Sequence, residues 1–360
     1  MIAATLACGF SVTGCTVTDE TLEKWAAEAE ANAPAEPAEV LFVIDSSASM
    51  DNEAAALVEN IDVFARELTS GKAAGQDYRI GITTTDADTY YGFLHEVEPG
   101  EAGTLVAAPV STSDDDLIYR MRQDIACMAT CWDGSSLTSD PGYSGQPGDC
   151  PLPSEGITVE YLDCLCHDIE YPVATATWDS SDLCGGGHEQ HLESALLALC
   201  LASPSPRPDI CSNHTGSNFK TAKRTASNNG WPMGHYRDDT PVVIVVVTDE
   251  GDGSPMFSTK DDTAEVYLDA FAQFDRDVTV AVIGPSLDCT ERTSDQGNTF
   301  DECQLTCNTG NASKLQTERL FDAAEASGGT YFGIANSEEG CAVADFGSYF
   351  KDIAALVQGR

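Results

Sequence analysis

Three stretches of this chain run from apolar residues straight into clusters of oxygen-bearing side chains. In "VLFVIDSSASM" (residues 40–50) the apolar run ends in Asp45, Ser47 and Ser49, spaced by two. In "PVVIVVVTDEGDGS" (241–254) it ends in Thr248, Asp249, Glu250, Asp252 and Ser254. In "YRIGITTTDAD" (78–88) it ends in Thr83, Thr84, Thr85, Asp86 and Asp88. Hard cations such as Mg²⁺ and Ca²⁺ take oxygen ligands in clusters of this kind. Spacing by two lets alternate side chains of a tight loop face one centre. Serine hydroxyls are neutral, so an ion held by them keeps positive charge and a position for an anionic ligand. Ser49 or Asp51 would also cap a following helix, a role compatible with a metal loop. Glu250, Asp252, Asp86 and Asp88 read first as solvated turn residues. A supporting place around an ion is the second reading for Asp86, Glu250 and Asp252.

Other chemistries fit less well. "HEQH" at 188–191 places its histidines at i and i+3, whereas the zinc-protease pattern needs them at i and i+4 on one helical face. "CLCHD" at 164–168, with Cys184, has zinc-ligand residue types, but disulfides are the better reading in an exported chain. Neither a Gly-rich phosphate loop of the G-x-x-x-x-G-K type nor a G-x-S-x-G elbow is present.

The elements that would carry these residues alternate. Strands are expected at 40–44, 78–84, 241–248, 278–284 and 330–334. Helices are expected at 51–68, 114–128, 188–202, 263–274, 315–326 and 346–357, from apolar residues at helical spacing such as Leu57, Ile61, Phe64 and Leu68. "YYGFLHEV" and "GTLVAAP" are expected to pair as a short edge hairpin. "PVVIVVVT" is apolar without alternation, as a central parallel strand buried on both faces must be. Strands interleaved with helices imply an α/β fold with a doubly wound, mostly parallel sheet flanked by helices. Such folds bind ligands beyond the carboxyl ends of their strands. Segments 130–187, 203–240 and 285–312 interrupt the pattern and read as irregular insertions, rich in Gly, Pro or Cys, with disulfide staples.

"DSSAS" after a buried strand, an amphipathic helix behind it, and "VVVTDEGD" closing a second strand together resemble a von Willebrand factor type A domain (VWFA) with its metal-ion-dependent adhesion site (MIDAS). The resemblance covers residues 39–358 apart from the insertions. With "GGGHEQHLESAL", the chain is similar to secreted, Cys-rich bacterial lipoproteins of this domain type. The resemblance implies a Rossmann-like α/β fold and a Mg²⁺ or Ca²⁺ site at Asp45, Ser47, Ser49 and Asp249. The family's middle ligand is a threonine just before a helix. Here Glu189 stands nearest that place, with Gln190 and Ser194 as weaker substitutes. A carboxylate there makes the site more anionic, tightens metal binding and weakens attraction for an acidic ligand.

Bulk properties agree with an exported binding protein. The 360 residues include 59 acidic and 18 basic side chains, a net charge of −41. That excludes nucleic acid as a partner, because phosphate recognition needs Lys/Arg stripes. It also disfavours direct docking on an anionic membrane. Residues 1–15 resemble a signal peptide ending in a lipobox-like Val12-Thr13-Gly14-Cys15, which implies lipid attachment at Cys15. Residues 16–38 read as an acidic Ala/Pro linker. Removal of Cys8 and lipidation of Cys15 leave twelve of the fourteen cysteines, an even set. These disulfide candidates are Cys127, Cys131, Cys150, Cys164, Cys166, Cys184, Cys200, Cys211, Cys289, Cys303, Cys307 and Cys341.

The expectation is a non-enzymatic, membrane-anchored lipoprotein of the bacterial cell envelope, either periplasm-facing or on the cell surface. It would bind a protein or cell-surface ligand through a divalent cation and a ligand carboxylate, reaching the membrane only by its lipid. Two alternatives stand beside it. One is a metal-dependent hydrolase or zinc enzyme using His188, Glu189 and His191 or Cys164, Cys166 and His167. The other is a structural envelope protein with a vestigial metal site.

Overall fold

The computed structural model describes residues 38–68, 78–85, 106–107, 115–130, 132, 137–147, 149–154, 156–167, 189–213, 236–237, 239–254, 256, 263–293, 299–307, 313–336 and 341–359. The leader, Cys15 and the linker up to residue 37 lie outside these residues. So do Asp86, Asp88, Cys131, Cys184, His188 and the first arm of the expected edge hairpin.

β1 (Glu39–Ile44), β2 (Arg79–Thr84), β4 (Val242–Val247), β5 (Val278–Gly284) and β8 (Thr330–Gly333) form a parallel sheet. A short β3 (Val106–Ala107) pairs antiparallel with β2 at one edge, giving the order β3-β2-β1-β4-β5-β8. The chain moves outward from β1 to β2 and then returns to β4 on the other side of β1. The switch in strand order therefore lies between β1 and β4.

Strand pleating sends alternate residues to opposite faces, and both faces are covered. Val40, Phe42 and Ile44 of β1, with Val243, Val245 and Val247 of β4, join one apolar core. That core includes α1 (Asp51–Leu68), α2 (Asp115–Asp124), α3 (Val159–Leu165) and, at the chain's end, α8 (Phe346–Gln358). Leu41 and Val43, with Val242, Ile244 and Val246, join the other. It includes α4 (His191–Ala202), α6 (Glu265–Phe271) and α7 (Lys314–Ala326). A four-residue α5 (Ile210–Asn213) follows α4. The fold is the doubly wound α/β arrangement expected from the alternation.

Three aromatic rings pin β1 beneath the helices. Phe42 meets Phe64 edge-on with ring centroids 5.2 Å apart, and Phe350 lies 6.4 Å from Phe42 and 6.0 Å from Phe64. All three are fully buried.

The described parts of the insertions contain regular elements. A π-helical turn over Ile125–Ala129 extends α2. Its carbonyls are engaged by Thr130 Oγ1 and by the Trp132 indole, which donates to Ala126 O at 2.7 Å. Cys127–Cys166 and Cys150–Cys164 staple this region, Cys200–Cys211 closes the turn after α4, and Cys307–Cys341 ties the third insertion to the segment before α8. The zinc reading of Cys164 and Cys166 is therefore overturned, since each sulfur is bonded to a different partner.

The third insertion, expected as a Cys-bearing interruption, contains an antiparallel ribbon of β6 (Ser286–Thr293) and β7 (Thr299–Cys307), whose register sets Cys289 opposite Cys303. Backbone pairing along the ribbon satisfies main-chain donors and acceptors despite the loop-like composition. Beyond it, β9 (Ala335–Asn336) and β10 (Ala342–Val343) pair briefly.

Truncation of Phe350 to Ala should remove the ring that bridges β1 and α1. We expect a loss of about 3–5 kcal/mol in urea unfolding, the range for emptying a buried aromatic site.

Candidate metal centre

The register of the sheet delivers two loops to one place. β1 and β4 run side by side from Glu39/Val242 to Ile44/Val247, so both strands end at the same level. The pairing continues into the loops. The Asp45 amide donates to Val247 O at 2.9 Å, the Thr85 amide to Ile44 O at 3.1 Å, and the Thr248 amide to Ile283 O at 3.0 Å. Asp45, Thr85 and Thr248 are thus fixed by backbone bonds at the carboxyl edge of the sheet.

The first loop folds around the Asp45 carboxylate. Asp45 Oδ1 accepts from the Ser47 amide at 2.8 Å, and Oδ2 accepts from Thr248 Oγ1 at 2.7 Å. The Ser47 and Ser49 hydroxyl oxygens lie 2.9 Å apart, and Ser49 Oγ donates to Asp249 Oδ1 at 3.1 Å. Ser49 is exposed and Ser47 half-buried, whereas Asp45 and Asp249 are buried. The loop thus grades from a hydroxyl rim to a carboxylate floor. A 3₁₀ turn over Ala48–Met50 then enters α1.

The second loop, "TDEGDGS", wraps toward the start of α4. Gly253 N donates to Glu189 O at 2.6 Å, and Asp252 N donates to Gln316 O at 3.2 Å. Gly251 has to be glycine. A Cβ there would stand 2.5 Å from Gln316 Cβ and 2.9 Å from the Gln316 and Thr317 backbone.

Glu189 enters from just before α4. Its backbone is held by Gly253, and the adjacent Gln190 amide donates to Thr85 O at 3.1 Å. Glu189 Oε2 accepts from Thr85 Oγ1 at 2.7 Å, and its carboxyl is in hydrogen-bonding contact with that of Asp45. Asp45, Glu189 and His191 each offer one ligand atom, all within 4.8 Å of one another, and all three residues are buried.

Of the weaker substitutes, Ser194 is fully buried inside α4. Gln190 immediately precedes the helix. His191 stood in the sequence only within the rejected "HEQH" pattern. Its true partners come from Asp45 and a remote loop, so no local spacing reveals them.

Asp252, expected to be a solvated turn residue, is fully buried. Its Oδ1 accepts from Ser254 Oγ at 2.6 Å and lies 3.4 Å from His191 Nδ1. The turn is driven inward because its backbone is bonded to Gln316 and Glu189. Glu250 stays half-buried, its amide donating to Thr248 Oγ1 at 2.9 Å.

The electrostatics are those of crowded carboxyls. Burial, and then the Asp45 charge beside it, push the Glu189 carboxyl up to about 10. Burial, and then Asp45, push Asp249 up to about 7. Two buried carboxylates in hydrogen-bonding contact need a proton or a cation between their charges. Asp249 Oδ2 is also buried without a hydrogen-bond partner among the described residues. Oxygen-rich donor chemistry and the unpartnered Asp249 Oδ2 together fit a bound divalent cation.

Comparisons with known proteins add little. A scan against protein-family models and a search of curated proteins find no match. Among solved structures, "von Willebrand factor type A from Catenulispora acidiphila" is 12% identical, over 90% of this chain and 43% of that one, with a TM-score of 0.38. The human COPII-coat protein Sec24c is 10% identical, over 90% of this chain and 33% of its own, with a TM-score of 0.30. The chain thus spans less than half the length of either. At these scores neither likeness carries weight, and the fold rests on the sheet described above.

A carboxyl whose pKa is higher folded than unfolded takes up a proton on folding. It therefore favours the folded state increasingly as pH falls. In chelator, the melting temperature should fall as pH rises through the window from the ordinary carboxyl range toward 10. Glu189→Gln should raise the stability of the chelated protein at pH 8 by on the order of 3 kcal/mol, because the carboxyl otherwise has to be held protonated above its ordinary range. It should also flatten the pH slope above 7. Calorimetry across the pH range checks both.

Proposed function

We propose that this chain is a divalent-cation-dependent binding protein of the bacterial cell envelope, built on an A-type domain. The observation that carries the reading is the meeting of the buried Asp45, Glu189 and His191 at the switch point between β1 and β4, their ligand atoms within 4.8 Å of one another, with Asp249 beside Asp45 and its Oδ2 without a hydrogen-bond partner among the described residues. Asp45 and Glu189 would hold the ion from below, Ser47 and Ser49 from the rim, and Asp249 directly or through water. A bound divalent cation would supply a Lewis-acidic position to a ligand oxygen, such as a carboxylate of a protein or cell-surface ligand.

The chain's own residues do the rest. Thr85 and Thr248 orient the two deepest carboxylates, and Ser49 orients Asp249. The hydroxyl rim leaves the approach neutral, which offsets part of the repulsion that three carboxylates would exert on an acidic ligand. The three insertions would set specificity around the approach.

Export is supported by the four disulfides among the described residues, which form in oxidising compartments. A lipid on Cys15 is the anchor we propose. No described helix is long and apolar enough to cross a membrane. A metal-dependent hydrolase on the same donors is the second reading. It is favoured by His191, whose imidazole joins the cluster.

Saturation of the chelator-stripped protein with its cation should stabilise it by about 2.7 kcal/mol at a hundredfold excess over Kd. For a domain of this size that raises the melting temperature by roughly 4 °C. Asp45→Ala should abolish the rise and, with it, the chelator-sensitive binding of the chain to envelope fractions. A cation-induced rise of the same size in Asp45→Ala would sink the assignment. Turnover of ester, peptide or phosphoester substrates, lost in the same variant, would favour the hydrolase.

A further inference from the structure

His191 is the one member of the cluster that an oxygen-only cation site leaves unexplained. It is the first residue of α4 and fully buried. Neither ring nitrogen has a hydrogen-bond partner among the described residues. An imidazole sealed from water with both nitrogens unmet is costly, because each loses hydration without replacement. One nitrogen lies within 4.8 Å of ligand oxygens of both Asp45 and Glu189.

The surroundings of the ring are equally built. Nδ1 lies 3.4 Å from Asp252 Oδ1, and Asp252 is itself fully buried. Asp252 Oδ1 is held by Ser254 Oγ at 2.6 Å, and Ser254 Oγ accepts from the Glu193 amide at 3.0 Å. The Glu193 carboxylate accepts in turn from the Tyr267 hydroxyl at 2.9 Å. An ion pair between a protonated His191 and Asp252 would account for Nδ1 but leave Nε2 bare. A metal held by Nε2, with Asp252 facing Nδ1, would account for both. Ligating histidines commonly present the second nitrogen to a carboxylate, which fixes the ring and raises its basicity.

We propose that the ion bound here is a first-row transition metal, held by the imidazole of His191 together with the carboxylates of Asp45 and Glu189, and not Mg²⁺ or Ca²⁺ held by oxygens alone. The proposal rests on the cation-binding reading above and goes beyond it in adding a nitrogen donor and naming the class of ion. Imidazole favours Zn²⁺, Fe²⁺, Co²⁺ and Ni²⁺, whereas Mg²⁺ and Ca²⁺ prefer an all-oxygen shell. Asp252 is a positioning residue for the ring, and Ser254 positions Asp252.

The test uses the full chain, free of affinity tags, with disulfides intact and stripped by chelator. Zn²⁺, Co²⁺, Mg²⁺ and Ca²⁺ salts are the probes. Competition titration should give one Zn²⁺ or Co²⁺ per chain, bound about a hundredfold or more tighter than Mg²⁺ or Ca²⁺. X-ray absorption of the Zn²⁺-loaded wild type should contain imidazole scattering. His191→Gln should weaken Zn²⁺ about tenfold or more while leaving Mg²⁺ nearly unchanged.

Equal affinity for Mg²⁺ and Zn²⁺, an oxygen-only absorption spectrum, or equal weakening of every ion in His191→Gln would overturn the proposal. So would tight Zn²⁺ binding that persists in Asp45→Ala. If His191→Gln does not fold, the wild-type absorption spectrum decides alone. Tight Mg²⁺ or Ca²⁺ binding that Asp45→Ala abolishes would leave the cation-binding reading standing and remove only this proposal. Failure of every ion to bind would remove both.

Discussion

The parallel pairing of β1 with β4 holds the site together. Because the two strands start and stop in register, Asp45 and Thr248 leave the sheet at the same height, with Asp249 one residue on, and the Asp45 amide continues the ladder into the loop. The pairing is itself enforced by burial. Every residue of both strands is inside, three from each strand facing one helical layer and the others facing the second. A slip of one residue would exchange those faces and carry Asp45 away from Thr248. The position of the carboxylates is therefore set by the packing of Phe42, Phe64 and Phe350 as much as by anything polar.

The same rigidity creates an electrostatic problem. Asp45 and Glu189 are brought into contact where water cannot screen them, with Asp249 close by. Threonine hydroxyls from two strand ends satisfy one oxygen each, which is less than the charge requires. A cation is the simplest partner that relieves all three carboxylates together. This is a folded framework holding charge in a geometry that the chain alone does not favour, an arrangement typical of functional sites.

His191 and Asp252 extend that logic below the carboxylates. The turn carrying Asp252 is drawn inward by backbone bonds to Gln316 and Glu189, and Gly251 makes the close approach possible. The result is a buried chain from His191 through Asp252 and Ser254 to the start of α4. The Cys200–Cys211 disulfide staples α4, the helix that carries His191.

By itself the sequence determined the alternating elements, the burial of β4 on both faces, the doubly wound class and the strand ends where oxygen ligands gather. These follow from periodicities of two and 3.6 residues, which are local. Its composition also pointed to disulfides, although not to their pairing. Only the tertiary structure decided which oxygens meet. Glu189 approaches Asp45 because the start of α4 is bonded to the loop after β2, 104 residues earlier in the chain. Asp252 turns inward because α7 receives its amide. His191 joins the cluster although its local pattern, "HEQH", has the wrong spacing for a helical zinc motif. Contacts between residues far apart in sequence depend on strand order and register, and no local pattern of residue types encodes them.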